Sequence, residues 1–250
     1  MNNIISVRNL TVVLGTQKIL DMISFDIEKG EVFIILGGSG CGKSTLMKTM
    51  IGLIKPISGE ILFDNENIVS SEDNARQNIL KKFGVMYQQG ALFGSLNLVE
   101  NVSLPLKEFT KLPDDAIELI ARMKLKQVGL ENFSEHMPSE ISGGMKKRAA
   151  IARAMSLDPE ILFLNEPSAG LDPITSAELD ELILSLSKNL GITFVIVSHE
   201  LPSIYTIADR VIMLDKKTKS IVATGKPIEL KETSTDAWVK LFFNRKGSNL

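Results

Sequence analysis

The sequence predicts an α/β fold built on a mainly parallel sheet, and two features predict it. Short apolar runs recur at residues 32–36, 161–164, 193–197 and 211–214, each ending in glycine or polar residues. Runs of that length without alternation fit strands buried on both faces. Between them lie stretches of helical character, such as 44–50 and 176–190, and strands alternating with helices imply a layered α/β domain. A chain of 250 residues holds one substantial domain, or a domain with an inserted lobe.

Residues 89–155 have a different texture. Ala116, Leu119, Ile120, Met123 and Val128 follow helical spacing, and Glu118 and Arg122 form an i,i+4 pair. No strong strand signal interrupts them, so this segment reads as a helical lobe inserted into the core. Residues 59–65, Gly-Glu-Ile-Leu-Phe-Asp-Asn, read as a strand entering a tight turn and predict some antiparallel sheet. The expected division is a main domain over 1–224 and a C-terminal tail over 225–250. In the tail, Trp238, Leu241 and Phe242 share a helical face that Val239 and Phe243 widen. Such a surface is costly to leave in water, so the tail is expected to dock on the chain's own core, on a second subunit or on a partner.

Charge and cysteine content exclude some classes. A net charge of −2, from 28 Lys and Arg against 30 Asp and Glu, gives no reason to expect a nucleic acid or an anionic membrane as partner. Cys41 is the single cysteine, which excludes an intrachain disulfide and fits a reducing compartment. The first residues lack a basic region followed by an apolar stretch, so no secretion signal is expected. No apolar run approaches the ~20 residues needed to cross a bilayer. Work at a membrane would need a membrane part supplied by another subunit.

The string Gly37-Gly38-Ser39-Gly40-Cys41-Gly42-Lys43-Ser44 matches G-x-x-x-x-G-K-[ST] and lies between a predicted strand and a predicted helix. Glycines let the backbone wrap so that its amides point at phosphate oxygens, and the following helix adds the positive end of its dipole. Lys43 is expected to reach the β- and γ-phosphates, and the Ser44 hydroxyl to coordinate Mg²⁺. As a mere structural turn, this glycine density with a lysine at its end makes little sense.

Further along, the run 161–164 delivers Asn165 and Glu166 to the end of a buried strand, where Glu166 suits a general base that polarises a water. His199 follows the run 193–197 and so falls at a strand's carboxyl end, where α/β sheets usually bind ligands. In Ile141-Ser142-Gly143-Gly144-Met145, a serine and two glycines precede the basic stretch Lys146-Lys147-Arg148, a second anion-binding helix start. One nucleotide does not need two such starts from one chain. A dimer sharing its sites explains the pair.

With these residues in place, the sequence resembles the ABC-type ATPases over nearly its whole length. Residues 37–44 are similar to their Walker A loop, Gln88 to the Q-loop glutamine, and 141–145 to the signature. Residues 161–166 are similar to Walker B, 168–172 with Asp172 to the D-loop, and His199 to the switch histidine. The resemblance implies a P-loop NTPase with a RecA-like core, an antiparallel β-subdomain and an inserted helical subdomain. It implies a head-to-tail dimer with ATP held between the P-loop of one chain, extended by Thr45, and Ser142, Gly143, Gly144 and Met145 of the other. Catalysis would then fall to Glu166, His199 and Lys43, and the Mg²⁺ environment to Ser44, Gln88 and Asn165. Shorter strings, residues 90–96, Glu100-Asn101-Val102, Met145, residues 166–173 and the tail 236–242, with Ala237 replacing a proline, resemble the ATPases of Mla/MCE-type lipid transport systems of bacterial envelopes. That likeness implies a membrane permease, an MCE-domain lipid-binding protein and a STAS-type subunit as partners, and a peripheral place on the cytoplasmic face of the inner membrane.

Three residues depart from the family's pattern. Asn165 stands where an aspartate is usual, and its amide oxygen still accepts hydrogen bonds but carries no charge. Leu14 falls where many relatives place an aromatic against adenine, and Met145 replaces a glutamine. Cys41, beside a helix start, is either a small filler or a thiol of lowered pKa. The reading is an ATP-hydrolysing subunit that powers phospholipid transport. The alternatives are a nucleotide-gated clamp with weak hydrolysis, prompted by Asn165, and the ATPase of another import or cell-division system.

Overall fold

The computed structural model describes residues 3–244. The chain divides into two compact units, one made of the residues up to Leu80 with those from Thr193 onward, the other of Lys81–Ile192. The first unit opens with β1 (Asn3–Leu14), β2 (Gln17–Glu28), β3 (Val32–Gly37), α1 (Lys43–Met50), β4 (Ser58–Phe63), β5 (Glu66–Asn67) and α2 (Asp73–Lys81). The second holds β6 (Phe83–Met86), α3 (Leu98–Phe109), α4 (Asp114–Gln127), α5 (Gly143–Ala154), β7 (Ile161–Asn165) and α6 (Pro173–Leu190). The chain then returns to the first unit with β8 (Thr193–Val197), α7 (Leu201–Ile207), β9 (Arg210–Leu214), β10 (Ile221–Gly225), α8 (Pro227–Thr233) and α9 (Ala237–Phe243).

In the first unit β3 lies between β8 and β9 and runs parallel to both, and β10 is antiparallel to β9. Every residue of β3 and of β8 is buried, as a strand covered on both faces requires. A separate antiparallel sheet has the order β2-β1-β4-β5. The turn expected after residue 63 is there: Asp64 and Asn65 both have positive φ, 45° and 69°, the geometry of a two-residue hairpin. Sequence patterning does not single out β1 and β2. Asn9 and Met22 adopt positive φ, 47° and 51°, and the β1–β2 register shifts between Val7 and Leu10. Such bulges break the two-residue alternation by which a strand is recognised.

In the second unit β6 and β7 pair in parallel, Phe83 beside Ile161 and Met86 beside Leu164. Asn97 opens α3 with a reciprocal capping box, its side chain accepting from the Glu100 amide while Glu100 accepts from the Asn97 amide. One residue on, buried Asn101 receives the Phe93 amide at 2.8 Å and donates to the Phe93, Leu96 and Asn97 carbonyls. The segment before α3 is therefore held by one amide side chain.

Helical spacing does not tell which side of α4 faces the core. Ile117, Ala121 and Leu125 are buried there, whereas Leu119 and Met123 lie outward at 62% and 55% exposure. The helix carries two apolar stripes, and 3.6-residue periodicity cannot say which one faces the core. The Glu118–Arg122 pair does form, at 2.7 Å.

The tail corrects an expectation. Asp236 caps α9 by accepting from the Trp238 and Val239 amides, but the buried face is Val239 with Phe243, and Trp238, Leu241 and Phe242 are only partly covered. Phe243 packs on Tyr205 of α7, with ring centroids 6.1 Å apart, and the Tyr205 hydroxyl donates to the Phe243 carbonyl. The tail thus docks on its own unit. Truncating a large buried ring costs about 3–5 kcal/mol, more than a helix of two turns retains in isolation. Phe243→Ala is therefore expected to detach α9 while the main fold persists. Limited proteolysis should remove the tail earlier in the variant, with the principal thermal transition unmoved.

Candidate nucleotide site

The phosphate loop joins β3 to α1 in the first unit. Gly37 has φ +146°, and a Cβ there would come within 2.5 Å of the Leu214 carbonyl oxygen at the end of β9. Gly42, the N-cap residue of α1, has φ +104°, and a Cβ there would press on Leu20 and Ile19 of β2. Only glycine meets both demands, the left-handed backbone and the close approach. Lys43 turns back over the loop, its Nζ donating to the Gly37 and Gly38 carbonyls at 2.8 and 3.1 Å. The ammonium thus sits within the wrap that phosphates would enter. Ser39, Gly40 and Ser44 are exposed, and Thr45, the third residue of α1, lies half-buried.

Cys41 is a filler. It is buried, and its Sγ occupies the space where a Gly37 Cβ would sit. Burial pushes its thiol up, against the pull of the Lys43 charge, so the alternative of a reactive, low-pKa thiol fails: desolvation outweighs the cation. His199 is exposed just beyond β8, after buried Ser198. Leu14 is exposed at the end of β1 and offers no aromatic face.

The second unit carries the acidic and amide groups. Asn165 ends β7 with its side-chain Oδ1 buried and without a hydrogen-bond partner among the described residues. A desolvated acceptor of this kind calls for a donor that the described residues do not supply, and a metal-bound water would meet the need. Glu166 follows in a left-handed conformation, φ +51°, a strain that non-glycine residues carry mostly at functional sites. Gln88 is exposed on the segment after β6.

Ser142 is the N-cap of α5, accepting the Met145 amide at 3.2 Å, and both Ser142 and Gly143 are exposed. Gly144 is constrained from inside: a Cβ there would lie 2.3 Å from the Thr175 methyl of α6. The basic stretch is divided. Lys147 points inward, and its Nζ donates to the Gln88 carbonyl and, at 3.4 Å, to the Glu166 carbonyl. Burial pushes its pKa down, against the Glu166 charge, which favours the ammonium. Arg153 donates to the Gly90 and Ala91 carbonyls at 2.8 Å. Asp172 caps α6, accepting from the Ile174 and Thr175 amides and from the Thr175 hydroxyl, which together hold its carboxyl below the usual range.

Comparison with known proteins accords with this arrangement. The family profile described as ABC transporter matches residues 20–169. This chain belongs to the ABC transporter family and is an ATP-hydrolysing subunit of it. The ATPase is 41% identical over 243 residues to the intermembrane phospholipid transport system ATP-binding protein MlaF of Escherichia coli K12, covering 97% of this chain and 89% of that one. It is also 41% identical over 240 residues to a Mycobacterium leprae protein named a probable ribonucleotide transport ATP-binding protein, covering 96% and 68%. Its structure is similar to a dimeric, post-hydrolysis structure of the ATP-binding cassette MJ0796 bound to ADP and Pi, with a TM-score of 0.79, 30% identity, and coverage of 89% and 98%. A P-loop ATPase fold of this kind implies ATP and Mg²⁺ as ligands, and the RecA-like core, antiparallel sheet and helical subdomain expected from the sequence are those of the family.

Three residues of the ATPase escaped the sequence reading of the site. In the sequence Lys147 reads only as part of the basic stretch 146–148. Lys216 follows β9 and brings its Nζ within 3.8 Å of where a Gly40 Cβ would lie. A strand's carboxyl end next to the P-loop strand was the available signal. Trp238 reaches the loop from α9, its ring 3.2 Å from where a Gly38 Cβ would lie, and its buried indole Nε1 lacks a partner among the described residues. No local pattern predicts that approach. Trp238 is the only tryptophan, so ATP titration should change the intrinsic tryptophan fluorescence. In Lys43→Ala the same change is expected to need at least about tenfold more ATP, since charge-assisted bonds to phosphate are lost. A fluorescence signal blind to ATP would count against a loop that rearranges around phosphate.

Proposed function

We propose that this ATPase powers intermembrane phospholipid transport, acting as a peripheral subunit on the cytoplasmic face of a bacterial inner membrane. The observation that carries this reading is the 41% identity to a phospholipid-transport ATP-binding protein, sustained over 97% of the chain. Among the described residues no helix is long and apolar enough to cross a membrane, so the transported lipid must pass through other subunits. The partners in this reading are a second copy in head-to-tail arrangement, a membrane permease, an MCE-domain lipid-binding protein and a STAS-type subunit. No nucleic acid takes part.

The proposed chemistry is phosphoryl transfer from ATP to water. Lys43 and the loop amides hold the phosphates and take up charge that grows on the leaving oxygens. Bound Mg²⁺ would neutralise phosphate charge, with Ser44 as ligand and Gln88 and Asn165 oriented toward its waters. Glu166 accepts a hydrogen bond from the attacking water and polarises it. His199 steadies the γ-phosphate, and Ser142, Gly143, Gly144 and Met145 serve the nucleotide of the partner chain. In this reading Asp172 also contributes through its own loop at the dimer contact.

Two measurements test the reading. The chain purified with its native membrane partners and reconstituted into phospholipid vesicles should move phospholipid with ATP, and Glu166→Gln should abolish that movement while leaving ATP bound. A complex whose hydrolysis ignores phospholipid and responds to a soluble nucleotide would instead favour the ribonucleotide function named for the mycobacterial relative. Asn165→Asp supplies a carboxylate where a neutral, unpartnered oxygen now stands. Charge-assisted hydrogen bonds run about twice as strong as neutral ones. A gain of about 1.4 kcal/mol would lower the Mg²⁺ concentration for half-maximal ATPase roughly tenfold. Superimposable Mg²⁺ titrations would mean that the missing charge has no consequence for the metal.

A further inference from the structure

Lys147 is a buried lysine outside every role assigned above. It is 7% exposed and sits on α5, the helix that begins at Ser142. Its ammonium donates to two backbone carbonyls from different parts of the second unit, those of Gln88 and Glu166. The same helix seats the rest of the segment after β6. A Gly90 Cβ would lie 3.3 Å from the Ala150 methyl, and Arg153 holds the Gly90 and Ala91 carbonyls. One helix therefore carries the exposed signature start at its beginning, a grip on the Q-loop along its length, and a contact with the strained residue proposed as general base.

A lysine is an expensive way to fill such a place. Burying an ammonium costs free energy unless its donors are matched, and a neutral side chain would pack there without that penalty. What the ammonium adds is several donors at one point, able to bind two carbonyls at once. It also adds a positive charge near the Glu166 carboxylate. A left-handed backbone at Glu166 persists only while its surroundings over-determine it, and the bond to its carbonyl is one such constraint.

We propose that Lys147 is a positioning residue that ties the Gln88 and Glu166 backbones to the signature helix, so that the general base is aligned only when that helix is seated. This rests on the role proposed for Glu166 and on the signature serving the partner's nucleotide. Occupancy of one nucleotide site is thereby felt at the hydrolytic residue of the chain whose signature touches it. The linkage is mechanical: a shift at Ser142 moves α5, and Lys147 carries it to both carbonyls.

The test compares wild type, Lys147→Met and Lys147→Arg in the full-length chain purified with its membrane partners. In Lys147→Met, kcat should fall about tenfold or more, the loss expected for charged hydrogen bonds in a buried place. Half-saturation of Trp238 fluorescence by ATP should stay within about twofold, because the phosphate loop is untouched. The Hill coefficient for ATP hydrolysis should drop toward that of independent sites, and Lys147→Arg, which keeps charge and donors, should restore most of kcat. Hydrogen exchange should quicken in Lys147→Met at the segment after β6 and just beyond Glu166, and not in α3. If Lys147→Met does not fold, Lys147→Gln, which keeps donors but no charge, takes its place with intermediate loss expected. Wild-type kcat and cooperativity in Lys147→Met, or failure of Lys147→Arg to rescue it, would overturn the proposal. Hydrolysis that survives Glu166→Gln would instead overturn the assignment of the general base, a separate result.

Discussion

The wrap of backbone between β3 and α1 is the constraint on which the first unit depends. A phosphate cradle needs successive amides aimed at one point, and an L-residue at Gly37 or Gly42 would be both strained and blocked. The blocking atoms belong to the Cys41 thiol, the Leu214 carbonyl and the side chains of Ile19 and Leu20. The cradle is thus pressed between the end of β9 and the strand β2, and a shift in either would reach it. Strands β3 and β8, buried throughout, and β9, buried from Val211 to Leu214, provide a close-packed base.

The second unit solves a different problem, holding polar groups in place where packing alone gives no orientation. It relies on side chains that bind backbone. Asn101 gathers the turn before α3, Lys147 and Arg153 hold the segment after β6, and Asp172 and Ser142 cap α6 and α5. Each is a polar side chain bound to main-chain atoms, which fixes a loop more sharply than an apolar contact, since hydrogen bonds weaken steeply with angle.

Lys147 is a buried lysine, and Asn165 places a neutral amide at the end of β7. A carboxylate at the end of β7 would satisfy its surroundings by Coulomb attraction, whereas the amide must rely on hydrogen bonds alone. Burial opposes the ammonium of Lys147 and the charge of Glu166 favours it, so the lysine places a positive charge near the Glu166 carboxylate.

The sequence by itself determined whatever depends on residue type at short range. The glycine-lysine-serine string, the buried runs that became β3, β7, β8 and β9, the hairpin at Asp64 and Asn65, and the Ser142 cap of α5 are all encoded within a few residues. Tertiary structure alone decided which of two apolar stripes on α4 is buried and which face of α9 docks. It also decided that the Cys41 thiol is desolvated, that Trp238 reaches Gly38, and that Lys147 turns inward. The physical reason is common to these cases. Periodicity and composition state that a surface must be covered or a charge matched, but the covering atoms come from far along the chain. Trp238 lies 200 residues from the glycine it covers, and Lys147 59 residues from the carbonyl it holds. Pairings at that separation are set by how the layers pack, which no local pattern records.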